Sequence, residues 1–208
     1  MRFVVGIGNP GKKYDGTRHN AGFRVIDALR AKIEAETKKR LVVSKEFQAE
    51  TAQAAEDVLL IKPDTYVNRT GGTVSALLCA HASKPSDFLL VCDDVNLPLG
   101  KIRLRASGGP GGHHGLESAI EAFGSEDFPR LRIGVGPKGP PAEGGSALGG
   151  KDLTEYVLEP FGKEEEKEFV GAVDDAVTVC REWIEKGVQA ATNRLSRMKS
   201  NQQESRKE

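Results

Sequence analysis

No apolar run in the sequence approaches the roughly 20 residues that a membrane-spanning helix requires, so no membrane partner is expected. Charge of a single sign is missing as well: 30 lysines and arginines balance 30 aspartates and glutamates. Net charge therefore gives no argument for nucleic acid, although a local basic stripe on a neutral protein still binds phosphate. Cysteine is scarce. Cys79, Cys92 and Cys180 are an odd, widely spaced set without a C-x-x-C pair. This excludes a disulfide framework and a paired-cysteine zinc site, and fits reduced thiols in the cytoplasm. The opening Met1-Arg2-Phe3-Val4-Val5-Gly6 enters a strand-like run at once, so no secretory leader is expected. No G-x-S-x-G nucleophile motif occurs, which disfavours a covalent serine route. What remains is ordinary globular material, 38% hydrophobic and 29% charged, of a length that suits one core.

Apolar periodicity places the elements. Arg2–Gly8 reads as a buried strand, and Asn20 to about Lys39 as a helix with Phe23, Ile26, Leu29 and Ile33 on one face and Asn20 as N-cap. Phe47–Thr51 and Asp57–Lys62 read as strands, the second stopped by Pro63. A helix follows from Thr65 to about His81, then an apolar strand over Asp87–Asp93. Lys101–Arg105 and Arg130–Val135 alternate as strands, with a short helix at Gly115–Phe123 between them. Lys163–Lys186 carries Phe169, Val173, Val177, Cys180 and Ile184 on one helical face. Strands alternating with helices predict an α/β fold, a single three-layer α/β/α domain over residues 1–198 with a mixed, largely parallel twisted sheet. Residues 199–208 are polar and predict a disordered tail.

Gly6-Ile7-Gly8-Asn9-Pro10-Gly11 fits G-x-G-x-x-G directly after a strand. A dinucleotide site needs a helix to open within that turn, but here the helical pattern resumes only near Asn20, so no nucleotide cofactor is expected. The segment instead forms a loop at a strand's C-terminal end, exposing Asn9, Tyr14, Arg18, His19 and Asn20. A single loop histidine is ordinarily a solvated residue. Three other features bear on it: Asp93 and Asp94 at the end of a buried strand, Asn68 after Pro63, and the turn Gly108-Gly109-Pro110-Gly111-Gly112-His113-His114-Gly115. Each alone has a structural reading as cap, loop former or linker. Together they suggest one mouth lined by histidine, aspartate and amides.

These residues make up ordered motifs. The first is Gly6-x-Gly8-Asn9-Pro10-Gly11-x-x-Tyr14-x-x-Thr17-Arg18-His19-Asn20-x-Gly22. Pro63-x-Thr65-Tyr66-Val67-Asn68, Asp93-Asp94-Val95-Asn96-Leu97-Pro98, Gly111-Gly112-His113-x-Gly115-Leu116, Arg130-Leu131-Arg132-Ile133-Gly134 and Ala191-Thr192-Asn193-Arg194 follow in order. In this sequence of motifs the chain resembles the bacterial-type peptidyl-tRNA hydrolases over about Arg2 to Met198. The resemblance implies a phosphorylase/hydrolase-like fold and hydrolysis of the ester joining a peptide to the 3′-terminal ribose of tRNA, recycling tRNA from prematurely released peptidyl-tRNA. It implies His19 as general base and Asp93 as the carboxylate orienting it. Substrate contacts then fall on Asn9, Tyr14, Tyr66, Asn68 and His114, the last standing where the family more often has asparagine. A neutral imidazole can take a proton from water near neutral pH, and a carboxylate behind its other nitrogen fixes the tautomer.

Lys101, Arg103 and Arg105 share one strand face, and Arg130 and Arg132 alternate in the same way. Such a face is either simply solvated or, beside a tRNA site, a phosphate contact, so Arg103, Arg105 and Arg132 are candidate tRNA-binding residues. His113 and His114 are the candidate metal ligands. Adjacent histidines diverge, however, and no further ligand stands at suitable spacing, so no metal is expected. Residues 137–161 form either a lid over a peptide groove or an ordinary insertion. A monomer acting in the cytoplasm suffices for this chemistry. The competing reading is an RNA-binding module on the same fold, for which retaining both His19 and Asp93 would have no chemical reason.

Overall fold

The computed structural model describes residues 1–137 and 152–204, with the side chains of 202–204 left out. The elements run β1 (Arg2–Gly6), α1 (Ala21–Thr37), β2 (Val43–Glu46), β3 (Ala49–Ala55), β4 (Val58–Pro63), α2 (Thr70–His81) and β5 (Phe88–Pro98). Then come β6 (Ile102–Arg105), α3 (His114–Phe123), β7 (Arg130–Gly136), α4 (Leu153–Leu158), α5 (Lys163–Lys186) and α6 (Val188–Glu204). The strands form one sheet in the order β2-β3-β4-β1-β5-β7-β6. Its four central strands are mutually parallel, while β2, β3 and β6 add antiparallel edges.

Alternation along the central strands builds the layers. Val4, Leu60, Leu89, Val91, Leu131 and Ile133 face α1, α5 and α6, whereas Phe3, Val5, Ile61, Leu90 and Cys92 face α2 and α3. The helices leaving β1 and β4 thus lie on opposite faces, and α2 carries the chain past β1 to β5 on its far side. Such a reversal opens a crevice at the C-terminal ends of parallel strands, where α/β sheets bind their ligands. α1 can begin close to that edge only because Gly22 has no side chain. A Cβ there would lie 2.3 Å from the Val91 carbonyl oxygen and 2.5 Å from the Ile7 nitrogen.

Four sequence readings need correction. Phe47 and Gln48 are not strand but the two left-handed residues (φ 54° and 55°) of the hairpin turn joining β2 to β3. Helix α2 starts at Thr70, after a 3-10 turn at Val67–Arg69, rather than at Thr65. β5 runs on to Pro98, bulging against β7 after Asp94. Order does not end at residue 198: α6 continues through Glu204, anchored where Ala191 and Leu195 are buried and Met198 packs against the core. Hydroxyl bonds to the preceding turn recur along it, from Thr192 to Val188, Ser196 to Thr192 and Ser200 to Ser196. Helix α5, by contrast, has the predicted bounds, opened by Glu165 accepting from the Gly162 N–H, with three glutamates in its first turn. The proposed lid residues 138–151, and 205–208 of the proposed tail, lie outside the described residues.

Because the atoms a Cβ would strike at Gly22 are backbone, overpacking of about 1–3 kcal/mol is expected for Gly22→Ala. Thermal unfolding should show a midpoint several degrees below the parent; an unchanged midpoint would mean that the helix can retreat from the sheet freely.

Candidate active site

At the C-terminal edge of the parallel strands, a cavity of about 470 Å³ opens among Asn9, His19, Asn68, Asp93, Asn96, Gly111, His113 and His114, with α4 on one side. His19 sits in a 3-10 turn (Arg18–Asn20) just before α1, and Asp93 lies near the end of the buried run Phe88–Asp94 of β5. His19 Nδ1 donates to Asp93 Oδ1 at 2.9 Å. A second imidazole reaches the same oxygen, with His113 Nε2 at 3.2 Å.

The tautomers follow from the partners. His113 is the N-cap of α3, and its Nδ1 accepts from the backbone N–H groups of Gly115 (3.2 Å) and Leu116 (3.3 Å). A ring nitrogen that accepts carries no proton, so His113 is protonated on Nε2 and donates to Asp93. Asp93, ionised, accepts from both rings. His19 therefore carries its proton on Nδ1 and turns a lone pair on Nε2 outward. Burial opposes charging His19, but the Asp93 charge and hydrogen bond outweigh it and raise its pKa above the ordinary value. Burial likewise pushes the Asp93 carboxyl up, yet the two histidines hold it well below the usual carboxylate range.

One side chain fixes the amide wall. Asn20 Oδ1 accepts from the Asn9 backbone N–H (2.7 Å), and Asn20 Nδ2 donates to the Asn9 carbonyl (3.0 Å). The Asn9 side-chain oxygen accepts from the Val67 N–H (3.0 Å), which leaves its NH₂ as the group it can offer a ligand. Asn20 thus occupies the N-cap position of α1 without capping it, and it is buried rather than exposed, as is Arg18. This bracing by Asn20 escaped the sequence reading, as did Asn96, whereas α4 lies within the segment 137–161 read as a lid or an insertion, and it lines the cavity. Adjacent polar types in the first motif were the only signal.

The remaining predicted residues separate into those in the cavity and those beside it. Asn68 and His114 line it. His114 is solvent-exposed, with Nδ1 2.9 Å from Glu117 Oε2, so it diverges from His113 and offers Nε2 where an asparagine would offer an amide. Tyr14 and Tyr66 meet edge to face at 6.3 Å, outside the cavity lining. His19, Asp93 and His113 place one ligand atom each within 4.8 Å of one another, close enough for a metal ion. Hydrogen bonds already account for that grouping, and a metal between them would require each imidazole to move its proton to the other nitrogen, where His113 already accepts two backbone N–H groups.

Arg132 requires a correction. It is only 9% exposed and Arg130 1%, so they form no solvated face. Arg132 bonds Asp94 at 3.5 Å and the carbonyls of Gly109 and Pro110 at 3.1 and 2.9 Å. Arg130 bonds the carbonyls of Glu126, Phe128 and Gly109. The glycine-rich loop packs over both guanidiniums, which bond its backbone carbonyls, and Arg132 also lines the cavity. Arg103 and Arg105, on the edge strand β6, are exposed. Burial, then the charges of Arg103, Lys101 and Arg105, hold the Lys199 pKa below its ordinary value, which places α6's lysine beside that stripe.

The parallel-sheet crevice and the carboxylate-backed imidazole define a hydrolase-type site on an α/β fold. Comparison with known proteins narrows this. The family model described as peptidyl-tRNA hydrolase matches residues 3–204. A peptidyl-tRNA hydrolase of Aquifex aeolicus is 41% identical over 89% of this chain and 91% of its own. One of Desulfitobacterium hafniense is 36% identical over 95% and 100%. The crystal structure of peptidyl-tRNA hydrolase from Acinetobacter baumannii superposes with a TM-score of 0.78 at 29% identity, over 94% of both chains. The chain belongs to the peptidyl-tRNA hydrolase family.

The raised His19 pKa sets the sign of the pH dependence, because the imidazole must be neutral to accept a proton. Turnover should fall as pH drops through that pKa. Asp93→Asn removes the charge that raises it, so the acidic limb of kcat/KM should move to lower pH while kcat drops by roughly 10²-fold or more. A limb that stays in place would assign the titration to another group.

Proposed function

We propose that this protein hydrolyses peptidyl-tRNA, with His19 Nε2 as the general base that takes a proton from water. The observation carrying this reading is the ordered set His113–Asp93–His19, which presents one unprotonated imidazole nitrogen to a cavity lined by side-chain amides. Water, its proton passing to His19, attacks the ester carbonyl between peptide and ribose. Asp93 stabilises the imidazolium formed, and the NH₂ groups of Asn9 and Asn68 hold the carbonyl as negative charge develops on its oxygen. The proton on His19 then leaves with the ribose hydroxyl. Water is the nucleophile of this scheme, and no step requires a metal or cofactor.

Tyr14 and Tyr66, at the rim, are suited to the terminal nucleotides, since aromatic faces stack on bases. Exposed Arg103 and Arg105, with Lys101 and Lys199 near them, suit backbone phosphate. Among the described residues, no helix is long and apolar enough to cross a membrane. A monomer acting in the cytoplasm is the simplest form consistent with a site built within one chain and with its unpaired cysteines. Residues 1–198 form the catalytic domain of this reading.

Two measurements test it. His19→Ala should reduce release of N-acetylaminoacyl groups from tRNA by roughly 10²–10⁴-fold while tRNA binding persists; near-parent turnover would remove His19 from the mechanism. Reversing Arg103 and Arg105 to glutamate should weaken tRNA binding and reduce the slope of log affinity against log salt by about two. An unchanged slope would place the phosphates elsewhere.

A further inference from the structure

The residue next to the catalytic histidine points the other way. Arg18 is 5% exposed, and its guanidinium lies over the Tyr156 ring at 4.2 Å and near Phe161 at 5.3 Å. Nη1 donates to the carbonyls of Tyr156 (3.3 Å), Glu159 (3.3 Å) and Pro160 (3.2 Å), at and just beyond the C-terminus of α4. Nη2 bonds Glu165 Oε2 at 2.8 Å, and Glu159 lies 3.7 Å from Nη1. The main chain joins in: the Arg18 N–H donates to the Glu159 carbonyl, and Thr17 bridges Pro160. Carbonyls at a helix end have no partner within the helix, and a cation there also meets the negative end of the helix dipole.

The clamped element is one wall of the cavity. Leu153, Thr154, Val157 and Leu158 share a face of α4 and line it. Leu153 is 44% and Leu158 36% exposed, an apolar surface left to solvent in the cavity that Asn9 and Asn68 also line. Tyr156, on the other face, ties α4 to the sheet through its hydroxyl, which donates to the Val135 carbonyl at 2.8 Å.

We propose that Arg18 is a positioning residue that fixes the apolar α4 wall at a set distance from His19, and that this wall binds the peptide part of the substrate. The proposal rests on the hydrolase reading. In it, the 3-10 turn that holds the base also holds the wall, so one short segment registers the ester and the peptide together. Arg18 touches no reacting atom; its loss moves the wall and not the base. A lysine cannot replace it, because an ammonium has neither the planar face for Tyr156 nor the fork that spans the carbonyls and Glu165.

The test compares two substrates on one tRNA: N-acetylalanyl-tRNA, too small to reach far along the wall, and a peptidyl-tRNA with several apolar residues. For Arg18→Lys, the KM of the long substrate should rise about tenfold relative to the short one, with kcat on both within about twofold. Tyr156→Phe keeps the ring beneath Arg18 and removes the hydroxyl that ties α4 to Val135 and also bonds Arg18, so it should shift the same ratio in the same direction. It also decides the matter if Arg18→Lys does not fold. Equal KM changes for both substrates, a loss confined to kcat, or an unchanged ratio would overturn the proposal. Failure of the parent protein to hydrolyse either substrate would instead overturn the hydrolase reading itself.

Discussion

A single buried carboxylate oxygen organises this site. Asp93 Oδ1 receives a hydrogen bond from His19 and another from His113, and each of those rings is held by a different part of the chain. His113 is fixed by the first backbone N–H groups of α3, so the amino end of a helix determines which nitrogen faces Asp93. Asp93, having one donor settled, imposes the opposite tautomer on His19. A buried charge is expensive to leave unpaired, and removing one partner of such a pair commonly costs about 3–5 kcal/mol. The arrangement therefore acts as a unit: neither histidine can turn over without leaving the carboxylate short of a donor in a dry environment.

The rest of the fold brings these groups to one place. Parallel β1 and β5 end side by side, which sets the Gly8-Asn9 loop next to Asp93. Gly22 lets α1 begin against the sheet, and Asn20 secures the returning loop through both backbone groups of Asn9. After Asp94 β5 bulges, which leaves Val95 and Asn96 lining the cavity, and Gly134 and Gly136 of β7 leave room for it, since a Cβ on either would meet a β5 carbonyl at 2.1 Å. Buried Arg132 draws Asp94 and the glycine-rich loop together, bringing His113 in from that side. Arg18 does the same for α4 from the other. Two arginines in signature motifs thus bond backbone carbonyls of the segments that border the site.

Much of this was legible in the sequence, for definite reasons. Helix α5 declares itself through a long apolar stripe with acidic residues at its start, and β5 through a continuous apolar run. His19 and Asp93 could be paired because motifs in fixed order brought a resemblance that no single loop histidine carries. The buried arginines could not be read. Arg-Leu-Arg-Ile alternates whether its polar face meets water or the carbonyls of a loop more than 20 residues away. The turn at Phe47–Gln48 lacks glycine or asparagine, and its aromatic residue imitates a strand. Helix α6 was missed because its buried stripe is narrow, Ala191, Leu195 and Met198 in an otherwise polar segment. The cavity's apolar wall was legible only as the choice between a lid and an ordinary insertion over residues 137–161, since spacing does not show that Leu153 and Leu158 border the same cavity as Asn9 and Asn68.

The two tautomers at Asp93 decide whether His19 can act as a base. Nitrogen-15 NMR of the imidazole rings, recorded above the His19 titration, reads them without any assay of turnover. The prediction is a proton on Nδ1 and none on Nε2 for His19, and the reverse for His113. A His19 protonated on Nε2, with its lone pair toward Asp93, would leave no base facing the cavity and would contradict the account.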